Sequence, residues 1–375
     1  MLNKKYLFLV PLIIIAITAT IYWLFIYPLV NDYFDNIAPQ WFSDLINIFY
    51  PRIEVEKQRY PAYFFLEKSN QILIRSGFVL LILSAFLTIY YNLSFKQSIN
   101  GWWDDKTSTF NAGVLKVLFY VLLIPIIFDF RSDLYLLYEI KEFYKPVIIL
   151  KLLGIPFPPP LVIDIMYGTL IISVLLVLFN YQAFFFSIIV SFLFLAGQAL
   201  FFSFEKVDHG YATFTYASML MPLVIYFRQN AIKKGEKTIQ GWPVKLICLA
   251  VALPYFFSGV EKIFTSKSAW LKAETLQSYL LLHHAEPGIW LAKNAFLCSI
   301  IPILVILFQL GFILILFTPK LRFIFLCAGI IFHYSIVIFF DVSSFINPWI
   351  FCYIFFIDWN FIRRKSIPEM IKIKA

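Results

Sequence analysis

Residues 183–202 read AFFFSIIVSFLFLAGQALFF, twenty positions without one charged side chain. Twenty helical residues rise about 30 Å, the depth of a bilayer's hydrocarbon core. A run this long and apolar predicts a membrane-crossing helix, and the rest of the chain repeats the pattern. Over its 375 residues the protein is 61% hydrophobic and 20% aromatic, with only 14% charged residues. A soluble domain carries about 25%. The sequence therefore reads as all-α: a polytopic integral membrane bundle of about ten transmembrane helices, with amphipathic helices on its outer surface.

The spans fall at approximately 6–27, 75–93, 114–130, 161–180, 183–204, 210–227, 244–264, 295–318, 322–340 and 344–359. The third and last are short enough to be partly re-entrant. The opening MLNKKYLFLVPLIIIAITATIYWLFIYP has the basic start of a signal peptide. Its apolar stretch runs too long for one and ends in aromatic residues, so it is read as an uncleaved first span. Segments 28–74, 131–160 and 267–290 mix apolar and charged residues at helical spacing, as helices lying on a membrane surface do.

The net charge is +9. In a chain of this class such an excess marks loops facing anionic lipid and does not call for nucleic acid. Lys4, Lys5, Lys96, Lys106, Lys116, Arg228, Lys233, Lys234, Lys237, Lys245, Lys320, Arg322 and the tail from Arg363 fall on one side of the predicted topology. That side is read as cytoplasmic, with both termini on it. The expected setting is a bacterial inner membrane. Cys248, Cys298, Cys327 and Cys352 all sit in apolar runs without metal-ligand spacing, and no metal site is expected.

Titratable groups suited to proton transfer collect on the other side. PYFFSGVEKIFTSKSAW, Pro254 to Trp270, ends an apolar span in Glu261 and Lys262. A charge at mid-bilayer costs about 2.5–3.5 kcal/mol on insertion scales. Tyr255, Gly259 and Lys262 stand at i, i+4 and i+7 and share a helix face, with Ser258 beside them. Gly259 would let a ligand or a neighbouring helix approach below the amine, and Pro254 can bend the helix. His209, Thr213 and Tyr216 share a face of the preceding span. His333 lies in the ninth span, two turns deeper than Asp341. A lysine amine in an apolar site can serve as a base near neutral pH, and an imidazole can orient a substrate or stabilise an anion. The plain alternatives are a Lys262 that snorkels to the headgroups and histidines that bond between helices. His283 and His284 diverge on a helix and do not form a closed metal site. No nucleophile elbow, P-loop, dinucleotide fingerprint or zinc-protease motif is present.

Three segments resemble the membrane domain shared by vitamin K-dependent gamma-carboxylases and bacterial horizontally transferred transmembrane (HTTM) proteins. They are YFFSGVEKIFTSKSAWLKAETLQSYLLLHH (Tyr255–His284), DHGYATFTYASML (Asp208–Leu220) and FHYSIVIFFDVSSFINPWIFCYIFFID (Phe332–Asp358). The resemblance covers roughly 108–360. It implies a membrane domain there; the hydropathy pattern itself places two spans with a long non-cytoplasmic loop before it, over 1–107, and a basic tail after it, over 361–375. It also implies catalytic roles for Lys262 as base, for His209 and for His333, with a reduced quinone as the species that is oxygenated and a peptide glutamate as the group that loses a proton and takes up carbon dioxide. Tyr255, Gly259 and Tyr216 would line the substrate. Glu261 stands where the family has a second lysine. On this basis the expected function is a membrane enzyme acting on a quinol or other lipid-soluble substrate at the outer leaflet. The alternative is a non-catalytic binding, immunity-type or accessory protein held in membrane lipid.

Overall fold

The structure, a computed structural model, describes residues 9–50, 53–90, 93–204, 210–342 and 346–365. In it the protein is an all-α, multi-pass membrane protein. Eight of the described helices are long and apolar enough to cross a bilayer.

The chain forms two compact units. The first begins with α1 (Leu9–Ile21), a π-helical turn (Tyr22–Ile26) and α2 (Tyr27–Phe34). After these come α3 (Gln40–Phe49), the single turn α4 (Ile53–Glu56), the long α5 (Ala62–Tyr90) and α6 (Leu93–Asp104). The π turn widens the backbone where Tyr22 reaches across to α5, bonding Ser69 at 2.6 Å and Asn70 at 2.7 Å. Tyr33, Phe42 and Ile53 form a small core beneath α2, α3 and α4. The segment Ile140–Phe157, with the short α8 (Ile148–Leu152), also belongs to this unit.

The second unit opens with β1 (Lys106–Ser108), which pairs antiparallel with β2 (Thr238–Gln240). Its long helices are α7 (Thr109–Tyr138), α9 (Pro160–Leu178), α10 (Ala183–Phe201), α11 (Ala212–Lys233) and α12 (Trp242–Ser266). After the surface helices α13 (Ala273–His283) and α14 (Glu286–Ala292) come α15 (Ala295–Gly311) and α16 (Pro319–Phe340). The short α17 (Pro348–Phe351), a 3₁₀ turn (Cys352–Phe356) and α18 (Asn360–Lys365) finish the described chain. Helix α7 starts where Ser108 accepts a bond from the Asn111 amide, and α15 where Asn294 does the same for Leu297.

The packing follows lipid as the solvent. Along α10, Ser187, Gly197 and Gln198 are buried, while Phe185, Ile188, Phe192 and Leu195 are exposed. The inner side mixes these small and polar residues with Val190, Phe194 and Leu200, while the exposed positions are all large and apolar, the reverse of a helix in water.

Two expected crossings differ from plain apolar helices. Helix α11 is 22 residues long, yet it is not among the eight because it carries Thr213, Thr215, Ser218, Gln229 and Asn230. Most of that polarity is turned into the bundle, where Thr213, Thr215 and Ser218 are all buried. The last crossing is a broken one. Its helical part is only four α and five 3₁₀ residues, which rise about 14–18 Å of the ~30 Å needed. Asp341 follows the last turn of α16, and the Trp359 amide donates to Asn111 near the start of α7 at 2.8 Å. The chain therefore returns along the bundle without a continuous helix. Such backbone persists at membrane depth only inside protein, and Asn347, Trp349, Cys352, Tyr353, Phe355 and Phe356 are all buried. Pro348 starts the short helix, and Asn347 caps it by accepting from the Trp349 and Ile350 amides.

Candidate functional site

The candidate residues cluster on α12 and on the elements packed against it. Tyr255 is 3% exposed and lies among the rings of Phe308, Phe312 and Trp349. Its hydroxyl is hydrogen-bonded to His333 Nε2 at 2.5 Å and to the Tyr353 hydroxyl at 2.8 Å. Three spans far apart in sequence are thus joined through one phenol. The His333 ring also stacks on Trp349, with ring centres 5.8 Å apart. A hydroxyl can donate once and accept as well, so either imidazole tautomer satisfies the pair.

One turn along α12, Gly259 is buried against α15. A Cβ there would lie 3.0 Å from Leu310 and 3.1 Å from Gln309 Cβ. The glycine is used for close helix packing. Gln309 Oε1, in the same layer, is buried and has no hydrogen-bond partner among the described residues. An unsatisfied buried carbonyl costs about 1–3 kcal/mol.

Lys262 is half-buried. Its Nζ turns back one helical turn and donates to Ser258 Oγ at 2.9 Å, toward the middle of the span. Side chains on a helix point toward its N-terminus, which at this end means inward. The ammonium also stands over the Trp270 ring, 5.0 Å from its centre, and that ring is stacked on Tyr279 of α13. Such a cation–π contact is worth about 0.5–2 kcal/mol, more as water is excluded. Lys262, Ser258 and Tyr255 therefore run as a polar edge down one side of α12, with Gln309 beside it.

The other expected positions divide. Tyr216 lies on α11 and is 46% exposed. His283 packs its ring edge-on to Phe340. His209, Glu205 and Asp208 lie outside the described residues. Tyr353 and Trp349 were not picked out in the sequence, where "PWIFCYIFF" offers nothing to rank one aromatic over another. A usable signal was Gly329, one turn before His333 on the same face. The Tyr353 hydroxyl fills the space a Cβ on Gly329 would need. No family model, curated protein or solved structure matches this chain.

Proposed function

We propose that the protein is a membrane enzyme of the HTTM and gamma-carboxylase kind, in which Lys262 acts as base toward a quinol or another lipid-soluble substrate. The single observation that supports this most is the inward course of the Lys262 side chain. Its amine is directed to Ser258 and capped by Trp270, so it is held beside the bundle interior. A base needs an amine that can lose its proton and be reached by an acidic hydroxyl or carbon acid, and an apolar wall with few hydroxyls offers that. The Tyr255–His333–Tyr353 cluster then stiffens the helix that carries the base. The setting in this reading is the outer leaflet of a bacterial inner membrane, with both termini in the cytoplasm.

A non-catalytic lipid-binding or accessory role is the second reading. It draws on Gly259, whose bare face is taken up by Leu310 and Gln309 in helix packing and not by a ligand.

The test is native mass spectrometry of the full chain in mild detergent, beside Lys262→Met, followed by turnover assays on any quinone or lipid that co-purifies. The enzyme reading expects a ligand and turnover in the wild type, both lost in a variant of unchanged thermal stability. Full turnover by Lys262→Met ends the base assignment. A ligand bound equally and never altered leaves the accessory reading.

A further inference from the structure

The end of the second unit that carries β1 and β2 holds two inward-turned cations. Lys116 is 2% exposed. Its ammonium donates to Val177 O at 3.0 Å, Leu178 O at 3.4 Å and Asn180 Oδ1 at 2.7 Å, closing the C-terminus of α9. Arg228, half-buried on α11, lays its guanidinium on α7. Its Nε donates to the Thr109 carbonyl at 3.1 Å. A Cβ on Gly113 would stand 3.0 Å from both Nε and Nη2. Thr109, Gly113 and Lys116 are at i, i+4 and i+7, so the guanidinium lies along the stripe that ends in the lysine.

Among the described residues neither cation has an ion-pair partner. Ion pairs among the described residues join Lys57 to Glu54, Arg131 to Asp164 and Lys245 to Asp105. None includes Lys116 or Arg228. Carbonyls satisfy the hydrogen-bonding needs of Lys116, but they supply partial charges only. For Arg228 the Thr109 bond is the one hydrogen bond among the described residues, and none of these accepts from Nη1 or Nη2. Withdrawing two like charges from water without a counter-charge is unfavourable, and an anion at the free side of the guanidinium relieves it. The planar fork of Arg suits an oxyanion with two acceptor oxygens, above all phosphate. The first turn of α7 adds the positive end of its dipole, and Lys233, Lys234 and Lys237 follow at the end of α11.

We propose that Arg228, backed by Lys116 and given room by Gly113, is a binding site for a phosphate oxyanion at this end of the bundle. The phosphate could come from the headgroup of an anionic phospholipid or from solution. The site stands apart from Lys262 and holds whether or not that residue is a base.

The experiment uses the full chain in mild detergent. Native mass spectrometry follows retained phosphatidylglycerol against phosphatidylcholine, and thermal unfolding follows added inorganic phosphate. Wild type is compared with Arg228→Gln, Gly113→Ala and Lys245→Gln. With a lipid source, the wild type keeps phosphatidylglycerol through detergent exchange, and Arg228→Gln loses it by about tenfold, as for one charge-assisted hydrogen bond. Gly113→Ala keeps both charges but displaces the guanidinium, so it also loses lipid and carries the test if Arg228→Gln fails to fold. Lys245→Gln removes a cation from the same end and retains lipid as the wild type does. With a soluble source, inorganic phosphate raises the unfolding temperature of the wild type and of Lys245→Gln only. Equal lipid retention in all four proteins, with no phosphate-dependent stabilisation, overturns the site.

Discussion

The Tyr255 hydroxyl and His333 Nε2 stand 2.5 Å apart in the buried centre of the second unit, and the same hydroxyl reaches Tyr353 at 2.8 Å. Removing that oxygen takes a hydrogen-bond partner from two buried groups at once. Tyr255→Phe should therefore cost about 1–3 kcal/mol of stability, the penalty for leaving buried partners unsatisfied. His333→Phe should cost a similar amount, and the double variant less than the two together. Detergent-solubilised unfolding of the four proteins measures the coupling. Additivity within about 0.5 kcal/mol would mean that the bond does not act in the folded protein.

Gly329 faces the Tyr353 hydroxyl so closely that no Cβ fits without movement. Overpacking of this kind costs about 1–3 kcal/mol, and Gly329→Ala should lower the unfolding temperature accordingly. Adding Tyr353→Phe vacates the space, so the double variant should recover part of the loss despite the missing hydrogen bond to Tyr255. Failure of Tyr353→Phe to recover anything would locate the strain elsewhere.

Lys116→Met should destabilise by about 1–3 kcal/mol, because three acceptors at the end of α9 lose their donor inside the bundle. Hydrogen exchange gives the sharper readout. Protection should fall first over the last turn of α9, near Val177 and Leu178. Uniform loss along α9 would assign the effect to global stability instead.

In the first unit, Glu54 pairs with Lys57 at 2.9 Å and accepts a bond from the Tyr33 hydroxyl at 2.7 Å. The lysine's bond first, and the phenol's second, hold the carboxyl below its ordinary value of 4.5. A depressed carboxyl stabilises the fold above its unfolded value and loses that contribution as pH falls through the folded one. Glu54 is mostly solvent-exposed, so the effect is small. The wild type should lose slightly more stability than Glu54→Gln on acidification below about pH 4.5. Parallel pH profiles for the two proteins would remove Glu54 from the acid response.

Much of the fold was legible because each span can be recognised alone. The absence of charge in 183–202 and the aromatic end of the first span are local properties, and both became helices where they were expected. The polar α11 was legible too, through its length. The last crossing was less so, because its run of aromatic residues looks like any short span. Pro348, Asn347 and the 3₁₀ turn break it, and burial on every side makes the break tolerable. For the candidate site, the shared face of Tyr255, Gly259 and Lys262 follows from spacing along one helix. The inward turn of Lys262 depends on Ser258 on that helix and on Trp270 beyond its end.

By itself, then, the sequence determined the solvent and the place of the long apolar helices, since hydrophobic length against a bilayer is a property of each segment; of the ten expected crossings, eight are such helices among the described residues. Tertiary structure alone decided the partners. Tyr255 meets His333 and Tyr353 across 78 and 98 residues, and Arg228 meets Thr109 across 119. Helical periodicity gives the face on which a side chain stands. Which neighbour that face meets is set by how the helices pack, at Gly113, Gly259 and Gly329 through the close approach that a missing side chain allows.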